Sequence, residues 1–148
     1  MPNVFTVNLL ANQNFCITAT SNSAGALLQL NLRNGVSGSP LQQFGYDGQY
    51  IYLTQNPKLV IDIKGVTPGN NVQLILNTKD PSRSTQGWNM GASALPNILN
   101  TGAAGYCIDN YQGAQQAGNP VVLWQASPSS QNNANQQWTP AAIPDFLR

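Results

Sequence analysis

Short runs of apolar residues, separated by glycine, proline, asparagine and aspartate, recur along the whole chain. Within the runs, apolar positions alternate with polar ones or form short blocks, as in residues 51–53 and 59–61. An amphipathic helix would instead show an apolar stripe at three- and four-residue spacing. The pattern therefore predicts short strands joined by turns, with Asp47-Gly48 as the turn of a β-hairpin.

The same pattern occurs three times. A shift of 44 residues superposes residues 7–18 on residues 51–62, and a further shift of 47 residues reaches residues 98–109. Each copy closes on a Gln-x-aromatic triplet whose aromatic residues are Phe44, Trp88 and Trp138. One copy cannot bury its own apolar face, so we predict one all-β domain with three pseudo-threefold repeats of about four strands each. The repeats span approximately residues 4–47, 48–93 and 94–148.

Positions that are apolar in every copy are predicted to form the core. The closing aromatic residues should fill the threefold centre rather than contact a ligand. Cys16, Val60 and Cys107 occupy one equivalent position, so both cysteines should behave as small buried hydrophobic residues. Threefold-related positions need not lie within the ~7 Å between Cα atoms that a disulfide requires. We therefore expect two free thiols, which fit a reducing compartment.

The composition excludes several classes of function. Only 7% of the residues are charged, and the six basic residues are scattered, which argues against a nucleic-acid surface. The chain has no histidine and no glutamate, so His-based triads, Cys-His pairs and the usual zinc ligand sets are absent. The 19 asparagines and 15 glutamines dominate the polar groups. Such a surface suits neutral, hydroxyl-rich partners, and no cofactor or metal is expected.

The chain shows no targeting or membrane segment. Its first residues lack a basic stretch followed by an apolar one, and no run approaches the ~20 apolar residues that a membrane span needs. We therefore expect a soluble protein without membrane insertion, either cytoplasmic or secreted without a leader.

The three closures resemble those of the ricin B-chain-like family of β-trefoil lectins. Each follows an apolar-Ile-Asp/Thr triplet by about 24 to 27 residues, and the resemblance runs from Val7 to about Trp138. It implies a β-trefoil fold and one sugar site in each competent repeat. Such a site combines the Asp of the triplet, an aromatic residue about fifteen positions later, and an Asn-Gln pair at the closure.

By this resemblance the third repeat is complete, with Asp109, Trp124 and the pair Asn135-Gln136. Gln136 is expected to brace Asp109 or the loop. Val122 stands where many family sites have a glutamine, and the following loop, residues 127–134, is about two residues longer than a common family form. Further sugar contacts are expected from Tyr111, Gln112 and Val122.

The other two repeats depart from the family pattern. The second keeps Asp62, Gln73 and Gln86, and is a candidate for a weaker site. Our alignment puts Ile75 at its aromatic position and Thr85 at its asparagine position. The first repeat is expected to be silent, with Thr18, Asn31 and Leu41 at these places.

The residue types of the third repeat suit a pyranose independently of the resemblance. Trp124 offers a flat platform for the C–H face of the ring, and an ionised Asp109 can accept from adjacent hydroxyls. The amide of Asn135 can donate and accept together. Each residue also has a purely structural interpretation; Asp109, for example, can cap a turn with Asn110.

The leading hypothesis is a non-enzymatic lectin that binds the glycans of glycoproteins or glycolipids. The family default is galactose or N-acetylgalactosamine. Weak single sites would need a homodimer or clustered glycans for useful avidity. Glycosidase chemistry needs a carboxylate pair, whereas Asp62 and Asp109 belong to different repeats. The alternatives are a β-trefoil interaction protein, such as a protease inhibitor or protein-binding module, and a carbohydrate-binding module of a larger glycosidase.

Overall fold

The computed structural model describes residues 4–127 and 133–147, which contain twelve β-strands in one sheet. Within these ranges the helical elements are short 3-10 turns. The all-β class and three repeats of four strands are confirmed, whereas the repeat boundaries stay a prediction. The strands are β1 (Phe5–Leu9), β2 (Asn12–Ala19), β3 (Leu28–Leu32), β4 (Phe44–Tyr46), β5 (Ile51–Leu53), β6 (Asn56–Ile63), β7 (Val72–Thr78), β8 (Trp88–Asn89), β9 (Leu99–Asn100), β10 (Tyr106–Asn110), β11 (Asn119–Gln125) and β12 (Trp138–Ala142).

Each repeat, called a lobe from here on, contributes one central hairpin and two outer strands. The central hairpins are β2–β3, β6–β7 and β10–β11, all antiparallel. The outer strands pair with one another, within and between lobes, as β1–β12, β1–β4, β4–β5 and β8–β9. This arrangement is the β-trefoil that the resemblance implied.

The three hairpins meet at the pseudo-threefold axis. β11 pairs with β3 and with β7, and a bridge between Leu27 and Ile75 joins the remaining two hairpins. At this junction the side-chain Nε2 of Gln73 donates to one carbonyl from each lobe. The acceptors lie 2.8–3.1 Å away and belong to Leu28, Leu74 and Val121. Gln73 therefore ties the three lobes together.

The turn predicted at Asp47-Gly48 is confirmed. Oδ1 of Asp47 accepts from the backbone N–H groups of Gln49 and Tyr50 at 2.9 and 2.7 Å. Gly48 has φ +98°, a left-handed conformation that glycine adopts without steric cost. The turn connects β4 to β5, so it joins the first lobe to the second.

The closing aromatic residues belong to the core, as predicted. Phe44, Trp88 and Trp138 are all buried. The indole N–H groups of Trp88 and Trp138 donate to the carbonyls of Ile61 and Ile108 at 2.9 and 3.0 Å, which satisfies their polar atoms inside the protein. The cysteines are also buried and unpaired, as expected.

The strand register corrects our alignment of the second lobe. Asp62 lies opposite Ile75 and Asp109 opposite Val122, so Ile75 is equivalent to Val122. Asn77, which lies opposite Val60 in the second lobe, is equivalent to Trp124, which lies opposite Cys107. The assignment of Ile75 to the aromatic position was wrong by two residues.

Candidate functional site

The hairpin β10–β11 places the acid and the indole of the third lobe on one face. Asp109 lies opposite Val122 and Cys107 opposite Trp124. Paired residues share a face and strands alternate at every residue, so these four side chains point to the same side. Asp109 and Trp124 are therefore diagonal neighbours, within reach of a shared ligand.

Asp109 is a buried carboxyl group with few donors. Its side chain is 5% exposed, and Oδ2 accepts from Nε2 of Gln136 at 3.0 Å. Burial raises the pKa of Asp109 to about 6, and the hydrogen bond from Gln136 offsets only part of this effect. Because no cation faces this carboxyl in the described part of the chain, it can still accept hydrogen bonds from a ligand.

Gln136 is fully engaged by the protein. Besides Asp109, Nε2 donates to the carbonyl of Gln125 at 3.0 Å, while the side-chain oxygen accepts from the backbone N–H of Ser127 at 3.2 Å. Gln42 and Gln86 hold the equivalent positions of their lobes in the same way. In each lobe, the hydrogen bonds of this glutamine thus fix the central hairpin to the closing 3-10 turn.

Two short turns beside the hairpin contribute further residues to the site. Asn133 begins the 3-10 turn Ala134–Gln136, because its side-chain oxygen accepts from the backbone N–H of Asn135 at 3.1 Å. In the other turn Gly113 has φ +73°, and a Cβ there would lie 2.5 Å from Oδ1 of Asn135. The absence of a side chain at Gly113 therefore makes room for the Asn135 amide.

The turn after β10 is held in place by hydrogen bonds from a side chain of β11. The side chain of buried Asn119 donates to Oδ1 of Asn110 at 2.7 Å and to the carbonyl of Tyr111 at 2.9 Å. This bracing keeps Gln112 in a left-handed conformation, with φ +54°. Asn110, rather than Asp109, takes the turn-stabilising role, since its side chain also donates to the carbonyl of Ala114 at 3.0 Å.

These elements enclose a pocket of about 240 Å³, called the lobe 3 pocket. Its volume equals the liquid share of about eight water molecules, which suits one sugar ring. Among the described residues, neither the indole N–H of Trp124 nor the side-chain amide of Asn135 has a protein partner. The lining residues are Asp109, Gln112, Trp124, Gln125, Ser127, Asn133, Asn135 and Gln136.

The lining set agrees only in part with the expected contacts. Val122 is 2% exposed, and neither Val122 nor Tyr111 is part of the lining. Three lining residues were missed: Gln125, Ser127 and Asn133. Ser127 has a buried hydroxyl without a partner among the described residues. The sequence signals for them were the position of Gln125 directly after Trp124 and the long loop that contains Ser127 and Asn133; residues 128–132 of that loop lie outside the described ranges.

The second lobe brings Asp62 and Gln86 together but places Gln73 elsewhere, at the threefold junction. The Asp62 carboxylate accepts from Nε of Arg83 at 2.8 Å. The remaining donors are the side chains of Asn77, Thr85 and Gln86 and the backbone N–H of Ile63. Burial alone would raise the pKa of Asp62, yet the hydrogen bonds, led by that of Arg83, lower it. Its carboxylate is therefore saturated by the protein.

The first lobe has no carboxylate at this position. Thr18 instead accepts from the side chain of Gln42 at 3.1 Å. Asn31, at the position of Trp124, accepts from the backbone N–H of Gly118 at 3.0 Å. The expectation that this lobe is silent stays a prediction.

Within residues 4–127 and 133–147, no cluster of three or more His, Cys, Asp or Glu side chains could hold a metal ion. No helix in the same ranges is long and apolar enough to span a membrane.

No family model matches the chain, and no curated protein matches it in sequence. Solved structures match it closely in fold. The C-half of an earthworm R-type lectin, solved in complex with GalNAc, has a TM-score of 0.76 at 14% identity, covering 96% of this chain and all of its own. The Rhizoctonia solani agglutinin has a TM-score of 0.74 at 12% identity, with 97% of each chain covered.

Two further structures extend the comparison. A ricin B-like lectin of Macrolepiota procera, in complex with lactose, has a TM-score of 0.69 at 16% identity and 95% coverage of both chains. The designed threefold-symmetric protein ThreeFoil has a TM-score of 0.77 at 15% identity, covering 95% of this chain and 99% of its own. The chain therefore has the β-trefoil fold that is found in the ricin B-like lectins.

Proposed function

We propose that the protein is a carbohydrate-binding lectin whose site is the lobe 3 pocket. One observation carries this proposal: a buried carboxyl group, a half-buried indole and a side-chain amide surround a pocket of monosaccharide size, and within residues 4–127 and 133–147 the carboxyl has one donor and the amide no partner. These groups belong to Asp109, Trp124 and Asn135. The lectin structures with the same fold support the proposal as analogy.

The chemistry of each group suits a pyranose. The C–H face of the ring would stack on Trp124, which contributes about 1 kcal/mol beyond the buried area. Two adjacent hydroxyls would donate to Asp109 in charge-assisted bonds. Asn135 would donate to and accept from a third hydroxyl. Gln136 acts as a positioning residue because its amide is already used.

Galactose and N-acetylgalactosamine are the proposed sugars, and glycoprotein or glycolipid glycans the proposed partners. Support comes from the earthworm lectin structure, which contains GalNAc, and from the Macrolepiota procera structure, which contains lactose. A single pocket of this size should bind with a Kd near millimolar, about −4 kcal/mol. Useful avidity then requires clustered glycans or a homodimer.

The same contacts support a non-enzymatic role. Hydrolysis of a glycosidic bond needs two carboxyl groups beside that bond. Asp109 is the one carboxyl group lining the lobe 3 pocket as described, and Asp62 is paired with Arg83 in another lobe. The pocket can therefore hold a sugar without the second group that cleavage requires.

The test is a glycan array followed by calorimetric titration with the best monosaccharide. We expect Asp109→Asn and Trp124→Ala each to weaken binding at least about tenfold, which corresponds to 1.4 kcal/mol. Phe146→Ala is the control, because it removes a ring that is 85% exposed and does not line the pocket. Wild-type affinity in both pocket variants would refute the assignment, and binding that free sugar cannot compete would favour an interaction protein.

A further inference from the structure

A second groove, of about 560 Å³, lies beside the lobe 3 pocket. We call it the adjoining groove. The loop that joins β9 to β10 provides one side of it, through Thr101, Ala104 and Gly105. Asn89, at the end of β8, lines another side. The groove is more than twice as large as the pocket, so it has room for more than one sugar ring.

The groove and the pocket share a wall. Gln125 and Ser127 line the pocket, whereas Ala126 between them lines the groove. The backbone N–H of Ala126, which follows β11, donates a hydrogen bond of 2.7 Å to the carbonyl of Gly105, which precedes β10. The segment Gln125-Ala126-Ser127 therefore borders both cavities, with side chains of consecutive residues lining one or the other.

A second connection between the groove and the pocket consists of buried hydrogen bonds. Asn97, which lines the groove, donates from its side chain to the backbone carbonyl of Gln136 at 2.9 Å. The side chain of Gln136 in turn donates to Asp109 in the pocket. The floor of the groove and the acid of the pocket are thus parts of one hydrogen-bonded network, which fixes their relative positions.

The lining of the groove is chemically suited to binding a sugar. No charged side chain lines it in the described ranges; its polar groups are amides and hydroxyls. Ala104 and Gly105 are exposed and small, so they leave open surface for a ring. A neutral ligand rich in hydroxyl groups can hydrogen-bond here without desolvating a charge, which a charged ligand could not do.

We propose that the adjoining groove binds the sugar residues linked to the one in the lobe 3 pocket, so that the protein recognises an oligosaccharide. This inference rests on the proposed function. It predicts that affinity rises with glycan length when the terminal sugar is kept the same.

The experiment compares methyl β-galactoside with a galactose-terminated tetrasaccharide by calorimetric titration. We expect the tetrasaccharide to bind the wild type at least about fivefold more tightly, or about 1 kcal/mol. Ala104→Tyr should obstruct the groove and return the tetrasaccharide to the affinity of the methyl galactoside, whose own binding stays unchanged and shows that the variant is folded. Ala24→Tyr, at another exposed alanine, in the turn between β2 and β3, should change neither affinity.

Amide chemical shifts give an independent measurement. The tetrasaccharide, but not the methyl galactoside, should shift the backbone signals of Ala104 and Gly105. Equal affinity for both ligands, with shifts confined to the lobe 3 pocket, would overturn this inference and leave the proposed function intact. No binding of either ligand, with no other sugar bound on the array, would overturn both.

Discussion

Asp62 and Asp109 occupy equivalent positions and are both buried, yet their carboxyl groups have opposite surroundings. Asp62 accepts hydrogen bonds from five groups, including the guanidinium of Arg83, so its pKa is lowered. Asp109 accepts from Gln136 alone in the described structure, and burial raises its pKa to about 6. The first carboxyl therefore stabilises the fold, whereas the second is costly to ionise and retains acceptor capacity for the proposed sugar.

A matched pair of substitutions tests this difference. Asp62→Asn should lower the free energy of unfolding by about 3 kcal/mol at pH 7, because it leaves Arg83 without its partner. Asp109→Asn should raise it by on the order of 1 kcal/mol, because a neutral amide replaces a buried charge. Urea unfolding at pH 7.5 measures both. A loss of equal size in both variants would contradict the contrast.

The dependence on pH has opposite signs at the two positions. The raised folded pKa of Asp109 means that its stabilisation is present below the unfolded pKa of ~3.9 and is lost as pH rises through about 6. The gain from Asp109→Asn should therefore shrink at pH 4.5. Asp62 contributes stability above ~3.9 that is lost as pH falls through its lowered folded pKa.

Sugar affinity should follow the ionisation of Asp109. Hydroxyl donors favour the ionised carboxylate, so binding should weaken by about tenfold per pH unit well below pH 6. Calorimetric titration at pH 7.5, 6 and 5 measures this, with circular dichroism to show that the fold is intact. Equal Kd values at pH 7.5 and 5 would show that the sugar does not use the carboxylate charge.

Among the structural elements, the turn that contains Gly113 couples backbone conformation to the position of a side chain in the lobe 3 pocket. Gly113→Ala meets two penalties: a side chain at φ +73° and a Cβ that would lie 2.5 Å from Oδ1 of Asn135. Gly118→Ala meets only the first, since φ is +86° and nothing lies within 4 Å. Both variants should lose about 1 kcal/mol of stability or slightly more.

Only Gly113→Ala should also weaken sugar binding, because it displaces the Asn135 amide. Calorimetric titration of the two variants side by side separates local strain from damage to the pocket. Equal affinity in both would remove Asn135 from the site.

The turn between the hairpin strands also explains why the alignment of the second lobe failed. Gly25, Asn71 and Gly118 share the left-handed conformation before the second hairpin strand, with φ between +65° and +89°. Matching glycine to glycine selected Gly69 instead of Asn71 and moved the strand by two residues. A shift of two keeps every side chain on the same face, so the hydrophobic pattern could not reveal the error.

At the scale of the whole molecule, a residue that sequence reasoning assigned to a sugar site instead contributes to the contacts between lobes. The side chain of Gln73 bonds to one carbonyl of each lobe at the pseudo-threefold axis. Gln73→Ala should lower the free energy of unfolding by about 1–3 kcal/mol, because three buried acceptors lose their donor. Sugar affinity should stay unchanged.

Urea unfolding followed by tryptophan fluorescence and by far-UV circular dichroism checks this expectation. The two probes should give one coincident transition, because no lobe has a core of its own. Loss of sugar binding in a folded Gln73→Ala variant would return this residue to a binding role.

The sequence alone determined the architecture, because threefold repetition of strand patterns, turn residues and closing aromatic residues is local information that a single chain displays directly. It also identified the lobe that holds an acid, an indole and an amide. Only the tertiary structure decided what each polar group does. Which donors surround a buried carboxylate, and which groove adjoins a pocket, depend on residues far apart in the chain, such as Asp62 with Arg83 and Asn97 with Gln136. These contacts carry no periodic signal, because they arise from packing between elements rather than within them.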